Sequence, residues 1–120
     1  MSGNFLLDTN VVLYILGNKI KSSELPEGEF YISFITELEL LSYPELSLEE
    51  ELKIKEFLGE MAVIDIDEDI KEACINLRKK YRIKLPDAII LATALTNNLT
   101  FLTKDKEIKK IKEVKFYKRI

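Results

Sequence analysis

A chain of 120 residues, 47% hydrophobic and 32% charged, suits one domain with a real core and a charged surface. It has no histidine and one cysteine, which excludes Ser-His and Cys-His nucleophilic systems, imidazole zinc sites and any internal disulfide. The net charge of −3 hides an asymmetry: Glu24 to Glu72 holds 16 acidic and 3 basic residues, whereas Arg78 to Ile120 holds 13 basic and 4 acidic.

Residues 4–8 (NFLLD) read as a short buried strand, and Thr9–Leu16 as a helix that Asp8 or Thr9 can cap. Residues 17–29 form a polar connection punctuated by glycine and proline. Phe30–Ser33 reads as a second strand, followed by a helix through Leu41 that Ser42, Tyr43 and Pro44 break. Residues 46–61 carry Leu, Ile and Phe at helical spacing, with Ser47 at the N-cap and Glu50 three residues on. Residues 62–66 (AVIDI) predict a third strand. Asp67–Tyr81 is an amphipathic helix with Ile70, Ala73, Cys74 and Leu77 on one face. Pro86 opens a further helix, apolar on most sides. Leu99–Thr103 is a fourth strand, then come a short lysine-rich helix and a last strand at Val114–Tyr117. Strands alternating with helices predict a three-layer α/β/α sandwich on a central parallel sheet of four or five strands, with 1–120 as one domain.

No apolar run of roughly 18 residues supports a membrane span. The N-terminus, MSGNFLLDTN, lacks the basic region and apolar core of a signal peptide. The lone Cys74 is assigned to core packing, and the expected address is the reducing cytoplasm.

In open parallel sheets the working site lies beyond the carboxyl ends of the strands. Asp8 follows strand one and Asp105 follows strand four; Asp87 opens a helix, and Glu39 lies on the helix after strand two, two residues from Glu37. Each has an ordinary reading: Asp8 and Asp105 as helix caps, Asp87 as a helix-dipole partner, Glu39 as a surface acid. Asp8 and Glu39, however, sit among apolar residues (FLLDTNVVL, ITELELL), where ionised groups are costly unless paired or coordinated. Clustered carboxylates raise one another's pKa, and a hard dication relieves that repulsion. Oxygen-only ligands point to Mg²⁺ or Mn²⁺, and such a site serves phosphoryl transfer. RKKYRIK (78–84) and the lysines from Lys104 onward offer a surface for a nucleic-acid backbone.

FLLDTNVVLY, ISFITELELLSYP, KLPDAIILATAL and TFLTKDKEI resemble, in order and spacing, the four sequence blocks of PIN-domain proteins, in particular VapC-like toxin ribonucleases. The resemblance implies a Mg²⁺- or Mn²⁺-dependent endoribonuclease, the toxin of a toxin–antitoxin pair. It carries four acids onto Asp8, Glu39, Asp87 and Asp105, as both catalytic groups and metal ligands. Glu39 rather than Glu37 matches the family acid, six residues after Ser33. Asn10 matches a supporting position, and Thr9 and Thr103 are suited to orient carboxylates. Expected partners are RNA, an antitoxin that fills the acidic groove with a basic side chain, and a second copy of the chain. The competing readings are a non-catalytic PIN scaffold that only binds, and a Mg²⁺-binding phosphoacceptor receiver domain, for which IDIDED would supply an acid.

Overall fold

The computed structural model describes residues 3–120; Met1 and Ser2, the start of the 1–120 domain expected above, lie outside them. The chain runs β1 (Gly3–Leu7), α1 (Thr9–Leu16), β2 (Gly28–Ser33), α2 (Phe34–Leu41), α3 (Leu48–Gly59), β3 (Ala62–Ile64), α4 (Glu68–Lys80), α5 (Leu85–Thr96) and β4 (Thr100–Leu102). All pairings are parallel, in the order β3-β2-β1-β4.

Side chains alternate across a strand, so each strand feeds two cores. Leu6 and Phe101 enter the core roofed by α4 and α5, with Ile70, Cys74, Leu77 and Leu91. Phe5, Leu7, Ile32 and Leu102 enter the core on the opposite face, with Val11 and Val12 of α1, Leu40 of α2 and Ile54 of α3. Both faces of the sheet are therefore covered at β1, β2 and β4, as a parallel sheet requires, while the edge strand β3 is largely exposed. No helix among the described residues is long and apolar enough to cross a membrane.

Local signals set the helix starts. Ser33 caps α2, its Oγ accepting from the Ile35 N–H at 3.1 Å. Ser47 and Glu50 form a reciprocal capping box on α3, both bonds at 3.0 Å. Asp67 accepts from the Ile70 N–H at 2.8 Å and caps α4. Gly28 has φ +151°, and a Cβ there would stand 2.1 Å from the Gly3 carbonyl oxygen. Only glycine allows β1 and β2 to approach at that register.

The C-terminal elements differ from expectation. The last strand, expected at Val114–Tyr117, is a single parallel bridge between Phe101 and Phe116. Its bonds run from the Phe101 N–H to the Lys115 carbonyl (2.8 Å) and from the Tyr117 N–H to the Phe101 carbonyl (3.0 Å). Pairing with β4 is confined to Phe101, and Val114 and Phe116 of this segment are held instead by side-chain packing in the α4/α5 core. The lysine-rich helix is one 3-10 turn, Ile108–Lys110. That geometry eclipses residues three apart, and Ile108 and Ile111 both reach the core. β3 is also shorter than expected, ending at Ile64.

The order places β2 and β3 on one side of β1 and β4 on the other. Chain direction across the sheet reverses between β1 and β4, and such a reversal opens a crevice at the strands' carboxyl ends. Receiver domains set β1 between β2 and β3, so this sheet order removes that reading.

Candidate active site

Asp8 and Thr103 are the first residues beyond β1 and β4, at the crevice. The Asp8 N–H donates to the Leu102 carbonyl at 3.0 Å, which locks the two strand ends together. Asp8 is 6% exposed. It occupies the N-cap of α1 but makes no side-chain cap bond. Its Oδ2 instead accepts from the buried Thr103 hydroxyl at 2.7 Å. The Thr103 oxygen in turn accepts from the Asp105 N–H at 3.1 Å. One threonine thus orients Asp8 and fixes the backbone carrying Asp105.

A second threonine serves the opposite wall. Thr9 Oγ1 donates to Glu39 Oε1 at 2.7 Å and lies 2.9 Å from Thr36 Oγ1. Having given its only hydroxyl proton to Glu39, Thr9 must accept from Thr36. Thr36 is fully buried on α2 and escaped the sequence reading. A threonine inside FITELELL looks like an ordinary helix residue, and only the approach of α1 gives it a partner.

Three of the four acids act on one another directly. Burial raises the Asp8 pKa above the ordinary carboxylate value, the Thr103 hydrogen bond opposes this, and the charges of Asp87 and Asp105 raise it further. Burial also raises Asp87, with the charges of Asp105 and then Glu39 adding to it and Lys84 opposing. Glu37 is not among the charges acting on either. Glu39 itself is exposed, despite its apolar sequence neighbours. Asp105 is exposed too, and its Oδ1 accepts from the N–H groups of Glu107 (2.9 Å) and Ile108 (3.3 Å), so it also shapes the turn after β4. Asn10 lies exposed in the first turn of α1 and bonds none of the four acids.

No ion pair among the described residues engages Asp8, Glu39, Asp87 or Asp105. Thr103 and Lys84 offset the burial and repulsion only in part, since both pKa values stay raised, and all four acids supply hard oxygen donors, so the donor set fits Mg²⁺ or Mn²⁺. They do not stand as a closed cage: among the described residues no three acid side chains already converge to hold an ion.

The burial of Asp8, together with the neighbouring charges, has a consequence for stability. A raised native-state pKa means that the folded chain holds more protons than the unfolded one between 3.8 and the raised value. This contribution is fully present below 3.8 and is lost as pH rises through the raised pKa. Other carboxylates act oppositely: Glu50 and Glu113 are lowered by hydrogen bonds, first from Ser47 and Tyr81 respectively. The clean observable is the difference between Asp8→Asn and wild type. In chelator, urea denaturation is expected to show the variant gaining stability relative to wild type as pH rises from 3.8 through the raised value. A difference flat with pH would contradict the burial of an unpaired Asp8 charge.

The PIN domain family profile matches residues 5–114. Among solved structures, a chain of a toxin–antitoxin complex from Klebsiella pneumoniae is 32% identical, with a TM-score of 0.77, covering 96% of this chain and 98% of that one. A chain of VapBC-1 from nontypeable Haemophilus influenzae is 26% identical with a TM-score of 0.77, covering 95% and 96%. A chain of VapBC2 from Rickettsia felis, bound to a DNA fragment from its promoter, is 24% identical with a TM-score of 0.83, covering 95% and 97%, a likeness of fold. No curated protein matched the sequence. With the profile spanning nearly the whole chain and the fold shared end to end, this protein belongs to the PIN-domain family and is VapC-like.

Proposed function

We propose that this chain is a Mg²⁺- or Mn²⁺-dependent endoribonuclease and the toxin of a toxin–antitoxin pair, working in the cytoplasm as a single PIN-like domain over 1–120. The observation that carries the reading is the gathering of acids from distant segments at the β1/β4 crevice, two of them with pKa values raised by burial and by the others' charge. Asp8 and Asp87 are the central ligands in this reading, and Glu39 and Asp105 complete the set. When bound, the cation supplies Lewis-acid polarisation of phosphate oxygens and a lowered pKa for water at neutral pH.

The chain's own groups do the positioning. Thr103 holds Asp8 in one rotamer, and Thr9, braced by Thr36, holds Glu39. The strand-end backbone bond from Asp8 to Leu102 keeps the two sides of the crevice at fixed separation. Asn10, exposed in the first turn of α1 and bonded to none of the acids, would support the site toward the substrate. The products are a 5′-phosphate and a 3′-hydroxyl.

An antitoxin would restrain the activity by placing a cationic side chain among the acids, and two copies of the chain would pair. The Klebsiella pneumoniae relative was solved as a toxin–antitoxin complex, which supports the antitoxin. The test is incubation of a total-RNA pool with Mg²⁺ or Mn²⁺, with and without chelator. Metal-dependent cleavage leaving 5′-phosphates is expected. A 2′,3′-cyclic phosphate would overturn the route, because it signals attack by the ribose hydroxyl.

The open arrangement of the acids favours one second reading, a scaffold that binds without cutting. It would be marked by metal binding with no cleavage of any RNA.

A further inference from the structure

Beside the acids lies a cavity of about 410 Å³ whose wall includes Asp87 and Asp105 together with Arg82, Lys84 and Lys110. An acidic site alone repels a polyanion, so the cations on its rim decide where a phosphate backbone can rest. Two of the neighbouring lysines are already committed. Lys110 pairs with Glu107 at 3.2 Å, and Lys80 pairs with Glu113 at 3.1 Å. Arg78 is committed differently: its Nε donates to the Ile83 carbonyl at 3.2 Å and pins the α4–α5 connection.

Arg82 and Lys84 are exposed, and no ion pair among the described residues engages either. The backbone is extended at both ends of the connection, Tyr81 at φ −124° and ψ 151° and Lys84 at φ −68° and ψ 151°. Extended chain alternates its side chains. Ile83 packs against the core, which leaves Arg82 and Lys84 together on the outer side, along the cavity wall. The Glu24–Glu72 stretch, which carries α2, α3 and the start of α4, is by contrast strongly acidic.

We propose that Arg82 and Lys84 form a phosphate-holding subsite for the RNA backbone, so that the single strand enters the crevice along the α4–α5 connection and not across α2 and α3. The proposal rests on the ribonuclease reading for its ligand, and it assigns positioning residues rather than catalytic ones. Arg82 supplies a planar fork suited to two phosphate oxygens, and Lys84 a point charge next to Asp87.

The test is fluorescence anisotropy of a labelled mixed-sequence single-stranded RNA in chelator, over a salt series, with the full chain. Arg82→Gln/Lys84→Gln is compared with wild type and with Lys53→Gln/Lys55→Gln on α3, which removes the same charge elsewhere. The first pair is expected to weaken binding about tenfold at low salt and to reduce the log–log salt slope by about 1.4, the release from two single-strand phosphate contacts. In cleavage assays KM rises and kcat is retained. The α3 pair stays close to wild type. Equal weakening by both pairs, or an unchanged salt slope in the first, overturns the subsite. If wild type binds RNA through Arg82 and Lys84 but cuts none, the subsite stands and the ribonuclease reading falls. If wild type cuts and the Arg82/Lys84 pair binds and cuts like it, the reading stands and the subsite falls. Wild-type binding of labelled poly-glutamate that the Arg82/Lys84 pair loses, with no RNA binding at all, would assign the cations to an acidic peptide and overturn the proposal.

Discussion

Asp8→Asn is expected to lower RNA cleavage at least about 100-fold, equivalent to about 2.7 kcal/mol of activation free energy. The substitution is nearly isosteric, and the carbonyl oxygen of the introduced amide can still accept the Thr103 hydroxyl, so the fold and the hydrogen-bond chain to Asp105 survive. What disappears is the one buried charge at the end of β1 and, under the proposed function, a central ligand for the dication. The paired control is Glu37→Gln, on the same helix as Glu39, whose charge does not reach Asp8 or Asp87. Full activity in Glu37→Gln would exclude Glu37 from the site, and loss in Asp8→Asn would locate it. Equal activity in wild type and Asp8→Asn would mark the cleavage as contamination, or the chain as a scaffold. The stability measurement in chelator is independent of this outcome, because it reads the burial of Asp8, and then the charges of Asp87 and Asp105, without any substrate.

Phe101→Ala is expected to cost about 3–5 kcal/mol in urea denaturation. Against a total stability of about 5–15 kcal/mol, that is enough to unfold a marginal domain. At roughly 4 °C per kcal/mol, Tm falls by about 12–20 °C. Phe101 is 1% exposed, sits on β4 under α5, and meets Phe116 edge to face with ring centroids 6.0 Å apart. Its own N–H and carbonyl carry both bonds of the C-terminal bridge. The vacancy would loosen the core that seats α5, and so the helix carrying Asp87. A loss under about 1 kcal/mol would show that neighbouring side chains collapse into the space.

The helix signals were legible because they are local. Ser47 with Glu50, Asp67 before its amphipathic run, and Pro86 in a first turn each act within a few residues, and all three helices start where these signals stand. The C-terminal segment was less legible because its fate depends on β4. Val114–Tyr117 has the composition of a strand, yet Phe101 is the one β4 residue it pairs with, and side-chain packing in the core holds the rest. Glu39 shows the same limit: its sequence neighbours Leu38, Leu40 and Leu41 suggest burial, but helical periodicity turns it outward.

The sequence by itself determined the alternation of strands and helices, the oxygen-only chemistry that follows from having no histidine, and the positions of Asp8 directly after β1 and of Asp105 in the turn that follows β4. These are properties of composition and of neighbours along the chain. Tertiary structure alone decided the rest. The sheet order β3-β2-β1-β4 set Asp8 beside Thr103, 95 residues away, and the packing of α1 on α2 joined Thr9 to Thr36 and Glu39. The same topology leaves Arg82 and Lys84 on the wall that holds Asp87 and Asp105. Sheet order and helix docking follow from burying both faces of the sheet at once, a condition on the whole chain that no single stretch of sequence carries.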